Sequence, residues 1–169
     1  RYAANGFPDF TFGTGGVVTT PIGSESDYAT SIIVQPDGKI VVGGYISTID
    51  GEDYALVRYN DDGSLDTTFD SDGIVTTDIS ADNDRLNALN LQSDGKLVAS
   101  GYSILSPDGF SMARYNANGS LDTSFDGDGK TTVSIGGATE FIPRGVVVLH
   151  NGKIAIGGYA TVLGGANFA

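Results

Sequence analysis

The sequence predicts an all-β fold assembled from tandem four-stranded antiparallel sheets. Three observations predict it. One set of anchors recurs three times along 169 residues, aspartate and glycine dominate the turn positions, and no stretch sustains an apolar period of 3.6. Acids number 21 against 9 bases, and only Glu25, Glu52 and Glu140 among them are glutamates. Aspartate and glycine favour turns, whereas glutamate, lysine, leucine and alanine favour helices. The acidity is therefore mostly turn chemistry.

Arg1-Tyr2, Arg58-Tyr59 and Arg114-Tyr115 open the three units, followed by the turns Asn5-Gly6, Asp62-Gly63 and Asn118-Gly119. Phe12, Phe69 and Phe125 come next, then Gly16, Gly73 and Gly129. A second turn ends at Gly38, Gly95 and Gly152, each followed by a lysine (Lys39, Lys96, Lys153). Gly44-Tyr45, Gly101-Tyr102 and Gly158-Tyr159 close the set. The units run 1–57, 58–113 and 114–169, and together they are long enough for one domain with a real core.

Four strands are expected per unit. The first covers 17–22, 74–79 and 131–135, and the second 30–35, 87–92 and 145–149. Ile32-Ile33-Val34 and Val146-Val147-Val148-Leu149 are near-continuous apolar runs, as a strand buried on both faces requires. The third covers 40–46, 97–102 and 154–160. Asp37-Gly38 and Asp94-Gly95 are expected to join second to third strand, with both central residues at positive φ. In the fourth, 54–60 and 110–116, Tyr54, Leu56 and Arg58 alternate with Ala55, Val57 and Tyr59, which marks two unlike faces.

Four antiparallel strands in a unit of this length make one β-propeller blade. A blade cannot bury its faces alone, so neighbours must stack on it. Gly43-Gly44 and Gly157-Gly158 then read as places where sheets approach closely. Three blades are too few to close a ring that typically uses about four to eight. The chain opens on the tail of a fourth strand, Arg1-Tyr2, and stops at the beginning of one, Asn167-Phe168-Ala169. Either two copies join head to tail into six blades, a self-association through blade edges, or the chain is an arc of a larger parent array. Starting at Arg1 rather than methionine fits a processed product or excised segment. Open edges otherwise invite aggregation.

The run 58–69, RYNDDGSLDTTF, with Gln92-Ser93-Asp94-Gly95-Lys96 behind it, resembles the delta-60 repeat, also described as a DUF5122 β-propeller repeat. Residues 114–125 resemble it equally well. Unit one departs, with Phe7-Pro8-Asp9-Phe10 in place of Ser64-Leu65-Asp66-Thr67, and unit three carries His150-Asn151 in place of Pro36-Asp37. The resemblance spans the chain. It implies bacterial, mostly secreted or surface-attached, multi-repeat proteins, and it implies no reaction, because that family is recognised by fold and has no common active site.

Charge excludes several partners. A net charge of −12 with no Lys/Arg cluster repels phosphate backbones and anionic lipid, so neither nucleic acid nor membrane docking is expected. No apolar run reaches membrane-spanning length, and no signal peptide is present. The lack of cysteine fits either the cytosol or a secreted bacterial protein.

Asp70-Ser71-Asp72-Gly73 and Asp126-Gly127-Asp128-Gly129 place two carboxylates two residues apart before a glycine, as calcium loops do. A full loop wants a third acid two residues earlier, where Thr68 and Ser124 stand, and unit one has Gly13-Thr14-Gly15-Gly16 instead. Asp70, Asp72, Asp126 and Asp128 thus read first as solvated turns and second as calcium ligands, calcium being the one cofactor the sequence suggests. His150, the single histidine, occupies the slot of Pro36 and Ser93, which is no place for a triad base. Carboxylate pairs suited to glycoside hydrolysis arise by chance among so many aspartates, and only Glu140 beside Phe141 has an apolar neighbour able to raise its pKa. The repeated tyrosines, and Arg58 and Arg114, read as packing residues before they read as sugar platforms or ligand grips.

The expected function is a non-catalytic extracellular or cell-surface scaffold or adhesion module, binding glycan or protein on the propeller face. The alternative is a fragment of a propeller hydrolase that uses axial aspartates.

Overall fold

The computed structural model describes residues 1–81, 83–103, 109–134, 138–162 and 165–168. Among them there is no helix, hence none long and apolar enough to cross a membrane. The first sheet holds β1 (Asp27–Val34), β2 (Ile40–Thr48), β3 (Gly51–Tyr59) and β4 (Ile74–Thr77), in that spatial order. The second holds β5 (Asp84–Leu91), β6 (Leu97–Ser103), β7 (Gly109–Tyr115) and β8 (Lys130–Ser134). In the third, β9 (Ala138–Val148) pairs β10 (Ile154–Val162), which pairs β11 (Gly165–Phe168). All pairs are antiparallel. The sheets stack face to face, with β1 beside β5 and β5 beside β9, so the first strand of each sheet lines a common axis. This is the fold the sequence predicts: an all-β arc of antiparallel propeller blades.

Sheets and sequence units are out of phase. β4 pairs β3 as Tyr54↔Thr77 through Val57↔Ile74, so the strand after each aspartate-rich turn completes the sheet of the unit before it. The expected first strand at 17–22 is consequently absent. Residues 17–20 stand where 74–77 stand one unit later, but they pair with no strand among the described residues, and only the Thr14↔Val17 bridge forms.

The hairpin turns also differ from the expectation of two positive φ values. Gly38 is at φ 87, whereas Asp37 is not in the left-handed region. The Gly38 amide donates to Gln35 O (2.9 Å) and the Gln35 amide to Lys39 O (2.8 Å). This is a three-residue connection: Pro36 presets the first turn position, Asp37 Oδ1 accepts the Lys39 amide at 3.2 Å, and glycine takes the left-handed step. Residues 92–96 and 149–153 repeat it.

Most of the core lies between sheets. Val41, Tyr54, Leu56 and Val75 of the first meet Leu86, Leu89, Leu97, Ala99, Ala113 and Tyr115 of the second, with Phe69 from the connecting loop. Each large side chain so buried contributes roughly 1.5–3 kcal/mol. Ala88 and Val98 meet Val146 at the next junction. Gly43 and Gly44 do different jobs, whereas a Cβ on Gly157 would meet nothing within 4 Å. A Cβ on Gly43 would lie 2.6 Å from Leu89 Cδ1, so this glycine does admit the neighbouring sheet. A Cβ on Gly44 would lie 1.7 Å from Tyr28 O, on the adjacent strand of its own sheet, where the register shifts between Ala29 and Ser31. Gly44 serves the bulge rather than sheet stacking.

Candidate functional site

The repeated polar motif folds into a closed clamp. Asp66, 4% exposed, accepts Arg58 Nε at 2.6 Å and Lys39 Nζ at 2.7 Å on Oδ2, and the Thr68 amide and hydroxyl on Oδ1. Arg58 lies 4.5 Å from the Phe69 ring centroid and donates through Nη1 to Ala117 O of the next unit, at 2.6 Å. Asp122 repeats the arrangement with Arg114, Lys96 and Ser124, and Asp9 repeats it with Arg1 and Thr11 but without a lysine. Burial alone would raise the Asp66 carboxyl, but the bonds from Lys39, Thr68 and Arg58 outweigh it and hold the group well below the carboxylate range. Lys96 and then Ser124 do the same for Asp122. Arg58 donates from Nε, Nη1 and Nη2 to acceptors within the fold. The arginines are packing residues, as expected. Asp66 and Asp122, which sequence reasoning treated only as letters of a motif, are the hubs, and their lysines come from a different segment.

The calcium candidates lie on the outside of this clamp. Asp70, Asp72, Asp126 and Asp128 are exposed, and Asp70 and Asp126 have φ of 48° and 51°. Asp72 Oδ1 accepts the Ile74 amide at 2.8 Å and Asp128 Oδ1 the Lys130 amide at 2.9 Å. Among the described residues no third carboxylate joins either pair. His150 is exposed on its turn, and the Glu140-Phe141 side chains lie outside the described residues.

Two other constellations emerge at the opposite end of the sheets. Tyr28 stacks on Tyr45, centroids 4.8 Å apart and planes 19° off parallel, and Tyr28 stays 48% exposed. The Arg85 guanidinium sits 5.1 Å from the Tyr45 centroid, is held by both oxygens of Glu52, and donates to Tyr102 Oη at 3.2 Å. Glu52 foremost raises the Arg85 pKa, and burial raises that of Tyr45. This fixes an exposed ring on a rigid cationic base. Nearby segments bring Asp53, Asp78 and Asp84 together, with one carboxylate oxygen of each within 4.8 Å of the others. Burial first, then Asp78 and Asp84, pushes the Asp53 carboxyl up. Asp84 is already committed, accepting the Ile79 and Ser80 amides at 2.8 and 2.9 Å and the Ser80 and Ser103 hydroxyls. These three acids are the oxygen-only set able to hold a hard cation or a proton. Sequence reasoning missed them because no spacing links residues from three segments. The one available signal was Asp27 and Asp84 recurring ahead of the second strand.

Known proteins set this arrangement in context. No curated protein matches the chain. The solved periplasmic gluconolactonase PpgL of Pseudomonas aeruginosa is similar at 17% identity and a TM-score of 0.43, over 82% of this chain and 38% of that one. Residues 35–69 and 92–125 match the family model described as "Domain of unknown function (DUF5122) beta-propeller". Each matched segment runs from a hairpin turn through two strands to the clamp phenylalanine, Phe69 or Phe125. In these two segments the chain is similar to the repeats of that β-propeller family.

Proposed function

We propose that the chain is a non-catalytic binding scaffold of the secreted or cell-surface kind, which holds a glycan or protein on the tyrosine-bearing end of its sheets. One observation carries the reading: the Tyr28 ring is half exposed and locked from behind by Tyr45, Arg85 and Glu52. A flat, preorganised aromatic face with hydrogen-bonding groups at its edge suits stacking on a sugar ring or an apolar side chain. The clamp aspartates and arginines are absorbed by the fold and offer no free nucleophile.

A glycan array and a panel of glycoside, ester and phosphoester substrates, run on one sample, test this. Binding without turnover, lost in Tyr28→Ala, supports it. Turnover sinks it. The elevated Asp53 carboxyl favours one competing reading, hydrolysis through the Asp53, Asp78 and Asp84 group. Turnover abolished by Asp53→Asn would establish that alternative.

A further inference from the structure

The sequence contains two glutamines, Gln35 and Gln92, and the fold uses the hydrogen-bonding capacity of neither side chain. They hold equivalent places just after β1 and β5, at the end of the sheets opposite Tyr28. Oε1 of each is enclosed and meets no hydrogen-bond partner among the described residues, and Gln35 as a whole is only 9% exposed. An enclosed polar atom left unbonded weakens a fold, so native chains rarely keep one without another use for it.

The hairpin itself does not require glutamine. Leu149 takes the same place in the third hairpin, and the bonds that close the turn are the same. The amides of Gln35, Gln92 and Leu149 donate to the carbonyls of Lys39, Lys96 and Lys153, each at 2.8 Å. The amides of Gly38, Gly95 and Gly152 donate back to Gln35, Gln92 and Leu149 at 2.9, 3.0 and 2.8 Å. An apolar side chain builds this turn as well as a glutamine does.

Both glutamines line one cavity of 590 Å³, together with Leu91, Asp94, Val148 and Leu149. Its walls are the hairpins of all three sheets, each internal to the chain, and its volume falls within the roughly 300–1,000 Å³ of small-molecule sites. The lysines of the first two hairpins are engaged elsewhere: Lys39 Nζ donates to Asp66 at 2.7 Å and Lys96 Nζ to Asp122 at 2.8 Å. Neither is free to hold an anion. Leu91, Val148 and Leu149 would strip water from a charged ligand without replacing it. Two neutral amides beside an apolar wall match instead a neutral ligand that carries hydroxyls on a carbon frame. Because Oε1 is the enclosed end, Nε2 is the end turned to the cavity, and a half-turn of the amide exchanges the two. A hydroxyl both donates and accepts, so it is served by either orientation.

We propose that this recess is a binding site for a neutral polyhydroxyl molecule of the saccharide class, with the side-chain amides of Gln35 and Gln92 as its hydrogen-bonding partners. The site is separate from the tyrosine-bearing end and stands whatever becomes of the reading there.

Cell-free synthesis of the whole chain with glutamine labelled with nitrogen-15 at Nε2 gives a spectrum in which each glutamine contributes one pair of amide signals and no other residue contributes any. Gln35→Leu assigns the pairs. Titration with glucose, galactose, N-acetylglucosamine, maltose and chitobiose, with acetate and ethylammonium as charged controls, tests the proposal. At least one saccharide is expected to move both pairs together to saturation with a single Kd, and the charged controls to move neither. Gln35→Leu and Gln92→Leu, each followed through the glutamine that remains, should weaken that binding roughly 2- to 13-fold, the range of one neutral hydrogen bond. Tm in both variants should stay level or rise, because leucine already occupies this place in the third hairpin. Signals that no saccharide moves, a response to the charged controls instead, or binding in the leucine variants as tight as in the parent would each overturn the proposal. So would a fall in Tm beyond about 3 °C, which would show that the amides serve the fold through bound water.

Discussion

Replacing Asp66 by asparagine removes the carboxylate that Arg58 and Lys39 share, and the structure allows the cost to be apportioned. Arg58, with a side chain 6% exposed, keeps its charge but loses its counter-ion where water cannot replace it. Removing one partner of a buried pair typically costs about 3–5 kcal/mol. Lys39, 28% exposed, regains hydration, so its bond adds less than about 1 kcal/mol. Asparagine retains Oδ1, so the Thr68 contacts survive. The expected loss is about 3 kcal/mol, a large share of the roughly 5–15 kcal/mol that holds a domain together. For a chain of this size it corresponds to a fall in Tm of roughly 6–12 °C. Urea unfolding followed by tyrosine emission and circular dichroism measures it. Asp9→Asn provides the internal comparison, since the same motif there sits at 23% exposure with its arginine at 28%, and a much smaller loss is expected. Equal losses at Asp9 and Asp66, or less than about 1 kcal/mol at Asp66, would refute the view that burial gives the clamp its strength. The pH dependence has a definite sign. The folded carboxyl lies below its unfolded value near 4, so its contribution is full above about pH 4 and disappears as pH falls towards the folded value. Asp66→Asn should flatten the acid limb of the stability profile.

Tyr54→Phe deletes a hydroxyl that is fully buried against Ser111 Oγ (2.8 Å) and the Ser111 carbonyl (3.1 Å), and should cost about 1–3 kcal/mol in the same urea assay. Gly101→Ala puts a methyl group 1.9 Å from Arg85 O and 2.4 Å from Tyr54 Oη, so a loss of about 1–3 kcal/mol is expected, with Gly145→Ala, at an open position, as the neutral control. Asp53 has a raised folded pKa, so its ionised form opposes folding once pH exceeds the unfolded value; Asp53→Asn should therefore stabilise the chain at pH 7 but not at pH 3. Calorimetric titration with calcium should be flat at the aspartate-rich turns, and heat abolished by Asp72→Asn and Asp128→Asn would show those carboxylates to be ligands rather than caps.

What the sequence made legible was the information written locally. The recurrence of Arg-Tyr, Asx-Gly, Phe and Gly-Lys anchors gives the repeat, its strand count and its hairpins, because turns and alternation act over a few residues. What it hid depends on partners far along the chain. The segment at 74–77 looks the same as 17–20, yet only the former pairs with a strand among the described residues. Gly43 and Gly44 are adjacent in sequence, but one faces Leu89 of another sheet and the other Tyr28 of its own. The Asp66 clamp draws Lys39 from 27 residues away, and the Asp53, Asp78 and Asp84 group gathers three segments. The exposed Tyr28 has no counterpart in its repeat slot, where Arg85 stands one unit later, so the recurring tyrosines did not point to it.

Because β4 belongs to the sequence unit after the one that supplies β1, β2 and β3, the length that recurs in the sequence and the length that folds as a sheet overlap at every junction. Splicing in one whole period at any junction therefore lengthens the array while leaving each existing ladder with an equivalent partner. A cut between residues 57 and 58 divides β3 and severs a sheet from its own outer strand. Independent modules should be trimmed within 78–83, between the outer strand of one sheet and the axial strand of the next.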